Sequence, residues 1–364
     1  MATIKAGNIE WIDAAKGACI LMVVLHHSIV TSYHIPLSDH LFGIDFAGVR
    51  LYELISKNLA PLRMPLFFML SGFLVQRSVN SADWRLTVQN RVVNLIYLFL
   101  LWGAIQWITV SIIHKVMTGD WAEGGKFNAI YADDILEYVQ LTIIGSTSLW
   151  YLYALPIYFI ICKLLSPRPW TAIAILLLVH FLSRRYITVW PTTGIFANAV
   201  YYAVGCFFGM RLFDLLSKFD KRTALLLALS IASVLAFGLL GVWGGAATSF
   251  LFIVLSIIFF AWIQKKFELR SLRWIGRNTL QIYVIHRIVL EIPSVVLASS
   301  LVTDEFFLNP TVVTLWCTLY PALATATVVM VCLTIWRATN RGMGRFLYQA
   351  PELRMLAPAS KLAQ

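Results

Sequence analysis

The sequence predicts an all-α polytopic membrane protein with about ten transmembrane helices and both termini in the cytoplasm, and three observations carry that prediction. The first is composition: 59% of residues are hydrophobic and only 13% are charged, where a soluble domain carries about a quarter charged residues. The second is length scale, because apolar runs of bilayer-spanning size, about 20 residues, recur along almost the whole chain. The third is the placement of Lys and Arg. A net charge of +11 would suit a nucleic-acid partner, but here the basic residues sit in short loops between apolar runs, so they carry topology and no nucleic acid is expected.

The predicted spans are about 11–33, 53–77, 92–117, 147–165, 170–187, 194–213, 223–241, 246–264, 273–298 and 311–336. Prolines and glycines punctuate them at Pro36, Gly119, Pro167, Pro169, Gly194, Gly244, Gly245 and Pro310. Around the first run, Asp13 and Lys16 lie beside the apolar stretch and no small-residue cleavage site follows, which predicts a retained helix. The longest segment between spans, 118–146, holds Asp133, Asp134 and Glu137 beside Ile130, Ile135, Leu136 and Val139, a pattern for a short surface helix. The last twenty residues read as a basic tail. No repeat and no appended soluble domain is visible, so the chain reads as one integral-membrane domain over 1–364.

Orientation follows from the basic residues alone. With the N-terminus inside, the outer segments hold only Arg50, Lys57, Lys115, Lys126, Arg184 and Arg185. The inner ones hold Arg77, Arg85, Arg91, Lys163, Arg168, Arg211, Lys218, Lys221, Arg222 and the clusters after Lys265 and Arg337. That asymmetry alternates correctly through ten spans.

Ionisable residues inside a bilayer are costly, so each needs a reason. The first span carries Asp13, Lys16, His26 and His27. Lys16 and His27 are three helical turns apart on one face, roughly 16 Å along the axis, with Asp13 one turn before Lys16 and able to pair with it. Lys16 alone fits a snorkelling interface residue, and His27 alone fits a helix–helix hydrogen bond. A second histidine, His286 in the ninth span, sits about fourteen residues from that span's inner end, against about sixteen for His27, so the two are expected to line one site. Tyr283 lies one turn from His286 and Glu291 lies further out. Arg287 has two readings, facing the site or pairing with Glu291.

The second span adds Arg63 at mid-depth, Pro65, and Ser71-Gly72 nearer the cytoplasm. Pro65 frees a backbone carbonyl and Gly72 permits close helix approach, both suited to a site-lining helix, although Ser71-Gly72 also fits plain packing. Trp150 and Tyr151 open the fourth span, where aromatic-belt residues are equally at home. The five cysteines, Cys19, Cys162, Cys206, Cys317 and Cys332, lie in apolar runs without metal-ligand spacing. They read as small buried hydrophobes, and no metal is expected.

Four segments in order, "IDAAKGACILMVVLHH", "MPLFFMLSGFL", "LWYLYAL" and "IGRNTLQIYVIH", resemble the membrane acyltransferase 3 family, in particular its stand-alone sugar O-acetylase branch typified by fucose acetylases. The resemblance covers nearly the whole chain. It implies a ten-helix bacterial inner-membrane enzyme that takes an acyl group, usually acetyl, from cytoplasmic acyl-CoA and passes it to a hydroxyl of a cell-surface or lipid-linked carbohydrate. Acetyl-CoA is then a substrate rather than a resident cofactor, and membrane lipid is the remaining partner. The family's Arg, ten residues, His signature falls on Lys16 and His27, and its Arg-x-x-Arg falls on "RVVN", where Arg91 matches and Asn94 does not. Lysine keeps the charge and loses the bidentate fork.

The implied roles are His27 and His286 as catalytic residues and Lys16, Arg91 and Arg277 on the donor's phosphates. Asp13, Arg63, Ser71, Trp150, Tyr151, Asn278, Tyr283 and Glu291 would line the site or meet the acceptor. Acyl transfer needs a base near the attacking oxygen, and neutral imidazole suits pH 7. Three rival readings stand beside it: a transporter or flippase of a glycan precursor, a succinyl-transferring relative, and a catalytically silent receptor or scaffold.

Overall fold

A computed structural model describes residues 10–33, 43–80, 84–121, 127–239, 245–298 and 307–351. Among these the regular structure is entirely helical. The ten predicted spans correspond to α1 (Glu10–Ser32), α2 (Ile44–Asn80), α4 (Asn94–Thr118), α6 (Trp150–Leu164), α7 (Pro169–Tyr186), α8 (Thr192–Ser217), α9 (Lys221–Leu239), α10 (Gly245–Ile263), α12 (Thr279–Ala298) and α13 (Pro310–Thr339). A short α3 (Trp84–Val88) and a π-helical turn (Gln89–Val93) lead into α4, α5 (Ile135–Ile143) lies in the longest inter-span segment, and α11 (Arg270–Arg277) precedes α12. Among the described residues eight helices are long and apolar enough to cross a membrane. The other two expected spans are α6, with 15 residues, and α7, whose apolar run is diluted by His180, Arg184 and Arg185.

Three expectations are corrected. The second span is not 53–77 but a 37-residue helix, about 55 Å long at 1.5 Å per residue. Its outer turns pack on α13, where Tyr52 donates to the Thr318 carbonyl at 2.9 Å. The ninth span is not continuous over 273–298: it breaks at Asn278. Arg270, Arg273 and Arg277 recur every three to four residues and so share one face of α11, which keeps that helix at the aqueous surface. Asn278 ends it by donating Nδ2 to the Trp274 carbonyl at 2.8 Å, the local competition that makes Asn a helix terminator.

The third correction is at the end of the chain. Residues 345–351, the first part of the expected basic tail, fold back on α4. Tyr97 donates to the Phe346 carbonyl at 2.9 Å, Trp102 Nε1 to the Leu347 carbonyl at 2.6 Å, and the Ala350 amide to Asn94 Oδ1 at 2.7 Å. The rest of the expected tail, 352–364, lies outside the described residues. The surface helix expected in 118–146 is present as α5: Asp134 Oδ1 accepts from the Glu137 amide at 2.8 Å, and Glu137 Oε2 from the Asp133 amide at 2.7 Å. Asp134 is thus the N-cap, and Glu137 reaches back one residue further, to the amide before the cap.

Two glycine-lined helix crossings set the geometry around the site. A Cβ on Gly72 would stand 2.0 Å from the Tyr202 carbonyl oxygen, and one on Gly205 1.9 Å from that of Met69, so α2 and α8 touch backbone to backbone. The same holds for α1 and α11, where a Cβ on Gly276 would stand 1.7 Å from the Asp13 carbonyl oxygen. Small residues at such crossings are how membrane helices approach closely.

Candidate active site

The α1–α11 crossing assembles the first part of the site. Asp13 Oδ1 lies 3.2 Å from Lys16 Nζ and Asp13 Oδ2 lies 3.1 Å from Arg277 Nε. One carboxylate therefore holds two cations from two helices. Beside it, Arg273 pairs with Glu10 at 2.8 Å, a contact the sequence reading did not single out although Arg273 shares the α11 face of Arg277. Three cations against two carboxylates leave this end of the bundle positive. Arg91 sits apart on the π-helical turn, partly buried, and among the described residues it shares no hydrogen bond or ion pair with the cluster.

Further into the bundle, α1 and α12 bring His27 and His286 together with ring centroids 5.4 Å apart. His286 lies only seven residues after the start of α12, yet it reaches the level of His27, because α11 rather than α12 runs beside the first turns of α1. His26 is turned elsewhere, as its helical phase requires: its Nδ1 lies 2.7 Å from Ser56 Oγ on α2. His286 Nδ1 lies 2.7 Å from the Tyr283 carbonyl oxygen and 3.2 Å from that of Ile282. A carbonyl only accepts, so Nδ1 carries the proton and the neutral ring keeps its lone pair on Nε2. That Nε2 is buried and has no hydrogen-bond partner among the described residues. His27 is partly exposed and His286 is buried. Arg63, partly buried on α2, lies within electrostatic reach of both His26 and His27.

A polar bracket holds α12 against α2 and α6. Tyr283 Oη donates to the Ser148 carbonyl at 2.8 Å and accepts from the Tyr151 amide at 3.2 Å, which satisfies an orphan N–H at the start of α6. Tyr151 Oη meets Ser71 Oγ at 2.5 Å, and its ring stacks on Phe67 at 4.7 Å. Ser71, Tyr151 and Tyr283 thus join one network, and the Tyr283 ring lies 5.8 Å from that of His286. Trp150 and Asn278 do not join it. Trp150 packs against Phe68, 5.6 Å away, and against Gly194, while Asn278 is the helix terminator described above.

One turn outward from His286, Glu291 is 2% exposed and fully engaged. His114 Nε2 lies 3.0 Å from Oε1, while Tyr131 Oη, at 2.9 Å, and Arg287 Nη2, at 3.1 Å, both reach Oε2. Arg287 Nη2 also donates to the Tyr131 hydroxyl. Of the two readings of Arg287, pairing with Glu291 is present in the structure. Burial pushes the Tyr131 hydroxyl well above its ordinary pKa, so it remains a hydroxyl at physiological pH. His114 and Tyr131 escaped the sequence reading. His114 could have been found by the argument used for His27, an ionisable residue within an apolar run, whereas Tyr131 in a loop carries no such signal.

Comparison with known proteins gives consistent matches. A family model described as an acyltransferase domain, acyltransferase 3, matches residues 9–336. "Inner membrane protein YcfT" of Escherichia coli strain K12 is 32% identical over 351 residues, covering 94% of this chain and 96% of that protein. No solved structure matches.

Proposed function

The chain belongs to the acyltransferase 3 family and is a multi-pass inner-membrane acyltransferase, and from that premise we propose that it moves an acyl group, acetyl in the first instance, from cytoplasmic acyl-CoA to a carbohydrate hydroxyl. One observation carries the proposal: two imidazoles stand 5.4 Å apart inside the bundle, His286 with a buried, unpartnered Nε2 and His27 on the same helix as Lys16 of the cation cluster. The roughly 16 Å from Lys16 to His27 along α1 is comparable to a pantetheine arm. Phosphates of the donor meet Lys16, Arg277 and Arg91 by charge-assisted contacts, and the thioester reaches the histidines.

The acceptor oxygen attacks the acyl carbonyl carbon while His27 takes the hydroxyl proton, and the C–S bond breaks as that proton passes to the coenzyme A sulfur. His286, its proton held on Nδ1, presents Nε2 toward this exchange. Lipid-linked or surface sugar is the acceptor class that fits an attack from within or beyond the membrane. The test is release of coenzyme A by the purified protein, paired with mass spectrometry of surface glycans from cells with and without it. A folded protein that leaves acetyl-CoA and succinyl-CoA intact in the presence of such glycans would remove the enzymatic reading and bring back a transporter.

A further inference from the structure

Glu291 poses a physical question that the proposed reaction leaves open. A buried carboxylate costs several kcal/mol of desolvation, and apolar residues of similar volume often serve stability as well or better. Here both carboxylate oxygens are engaged, by groups from three places in the chain: His114 on α4 at 3.0 Å, Tyr131 in the outer segment at 2.9 Å, and Arg287 on α12 at 3.1 Å. The Tyr131 hydroxyl closes a triangle by accepting from the same Arg287 nitrogen. The cluster's contacts therefore converge on the Glu291 carboxylate, and Glu291 and Tyr131 together hold one guanidinium by one end. Among the described residues both polar contacts of Arg287 run through Nη2, which leaves the Nη1 hydrogens to a ligand. Arg287 directly follows His286 in α12, and both His27 and His286 lie within electrostatic reach of it.

We infer that Arg287 is a further catalytic residue, donating to the acyl carbonyl oxygen as negative charge builds on it, and that Glu291, Tyr131 and His114 are positioning residues that aim it. The inference rests on the acyl-transfer reading above. In the addition step the acceptor oxygen bonds to the carbonyl carbon, the hydroxyl proton goes to imidazole, and the carbonyl π pair moves onto the oxygen that Arg287 meets. In collapse that pair re-forms the carbonyl, the C–S bond breaks, and the sulfur receives the proton. Donors prearranged where charge develops raise turnover more than ground-state binding, and a guanidinium clamped at one end needs little reorganisation to act.

The experiment uses the full chain in lipid nanodiscs, acetyl-CoA and succinyl-CoA as donors, a glycan and lipid-linked sugar extract as acceptor, and coenzyme A release as readout. Arg287→Gln should lower kcat by about 10²–10³ and change the Michaelis constant for the donor by no more than about twofold. Arg287→Lys should recover part of that loss. Glu291→Gln and Tyr131→Phe, which leave Arg287 in place but loosen it, should also reduce kcat rather than donor binding. Melting temperature and folded yield are measured on every variant. If Arg287→Gln melts lower but its folded fraction turns over at the wild-type rate, the network only ties the outer segment to α12 and the inference is wrong. If the folded wild type releases no coenzyme A from either donor, the acyl-transfer reading fails and takes this one with it. The two failures are separated by the wild-type rate alone.

Discussion

His286 donates from Nδ1 to a backbone carbonyl, so one rotation of one ring decides where its basic lone pair lies. His27 is partly exposed as a residue where His286 is buried, so it is the one that an acceptor can approach. His27→Ala should therefore abolish transfer in a protein that still folds and inserts, since a general base contributes some hundred- to ten-thousand-fold. His26→Ala should be far milder, because the His26 ring is bonded to Ser56 on the α2 side and the variant leaves the His27–His286 pair in place. Acylated-glycan yield at matched membrane protein levels reads the difference, and a dead His26 variant beside an active His27 variant would refute the assignment. On the donor side, Lys16→Ala removes a charge-assisted contact of about 1.5–3 kcal/mol and should raise the Michaelis constant for acyl-CoA, while Lys16→Arg should retain activity. An unchanged Michaelis constant in the alanine variant would leave Lys16 as a snorkelling residue paired with Asp13. At this scale the sequence told most about residues that are anomalous where they stand. His27, His286, Lys16 and Arg63 were visible because charge in an apolar run needs a reason. Tyr131 was hidden because a tyrosine in a polar loop needs none.

The elements show a different balance. Helix positions followed from apolar run length, but the break between α11 and α12 did not, since Ile275 and Leu280 continue the apolar period across Asn278. Only the arginine spacing of α11 marked the part that stays in water. The C-terminal fold-back was illegible for a related reason: its bonds run from Tyr97, Trp102 and Asn94 to main-chain atoms far away in sequence, and backbone partners leave no trace in residue identity. Asn94 carries weight here, because the departure from the Arg-x-x-Arg pattern is a residue whose side chain holds the strap. The glycines give the sharpest element-scale prediction. Gly276→Ala should loosen the α1–α11 crossing and so weaken donor binding, although it removes no charge, because its Cβ would meet the Asp13 carbonyl oxygen at 1.7 Å. Gly238→Ala on α9, with nothing within 4 Å, is the matched control and should be neutral or slightly stabilising. Melting temperature together with acyl-CoA binding checks the pair, and equal behaviour of the two variants would mean that the crossing can part at little cost.

For the molecule as a whole, function depends on a single axis from the basic end to the outer segment. The cation cluster lies at one end of α1, the histidines lie further along it, and Glu291 with its partners from α4 and the outer segment lies beyond them. Such an axis can carry a donor from one side toward an acceptor on the other only if the sidedness read from Lys and Arg is correct. The arrangement therefore makes a topological prediction. The five native cysteines are free and buried, so they should stay silent toward a membrane-impermeant thiol reagent and single introduced cysteines can be read against them. Cysteines placed at Arg77 and Gln349, both exposed, should react only after the cytoplasmic side is opened. One placed at Leu136 in α5, also exposed, should react in intact spheroplasts. The same experiment tests the two helices that fall short on length or apolarity. If α6 or α7 failed to cross, the sidedness of everything after it would invert, and the C-terminal fold-back would be labelled from outside. Outside labelling at Gln349, with Arg77 still protected, would thus overturn the ten-span arrangement and place Lys16 and Arg91 on the opposite side of the membrane from Arg277.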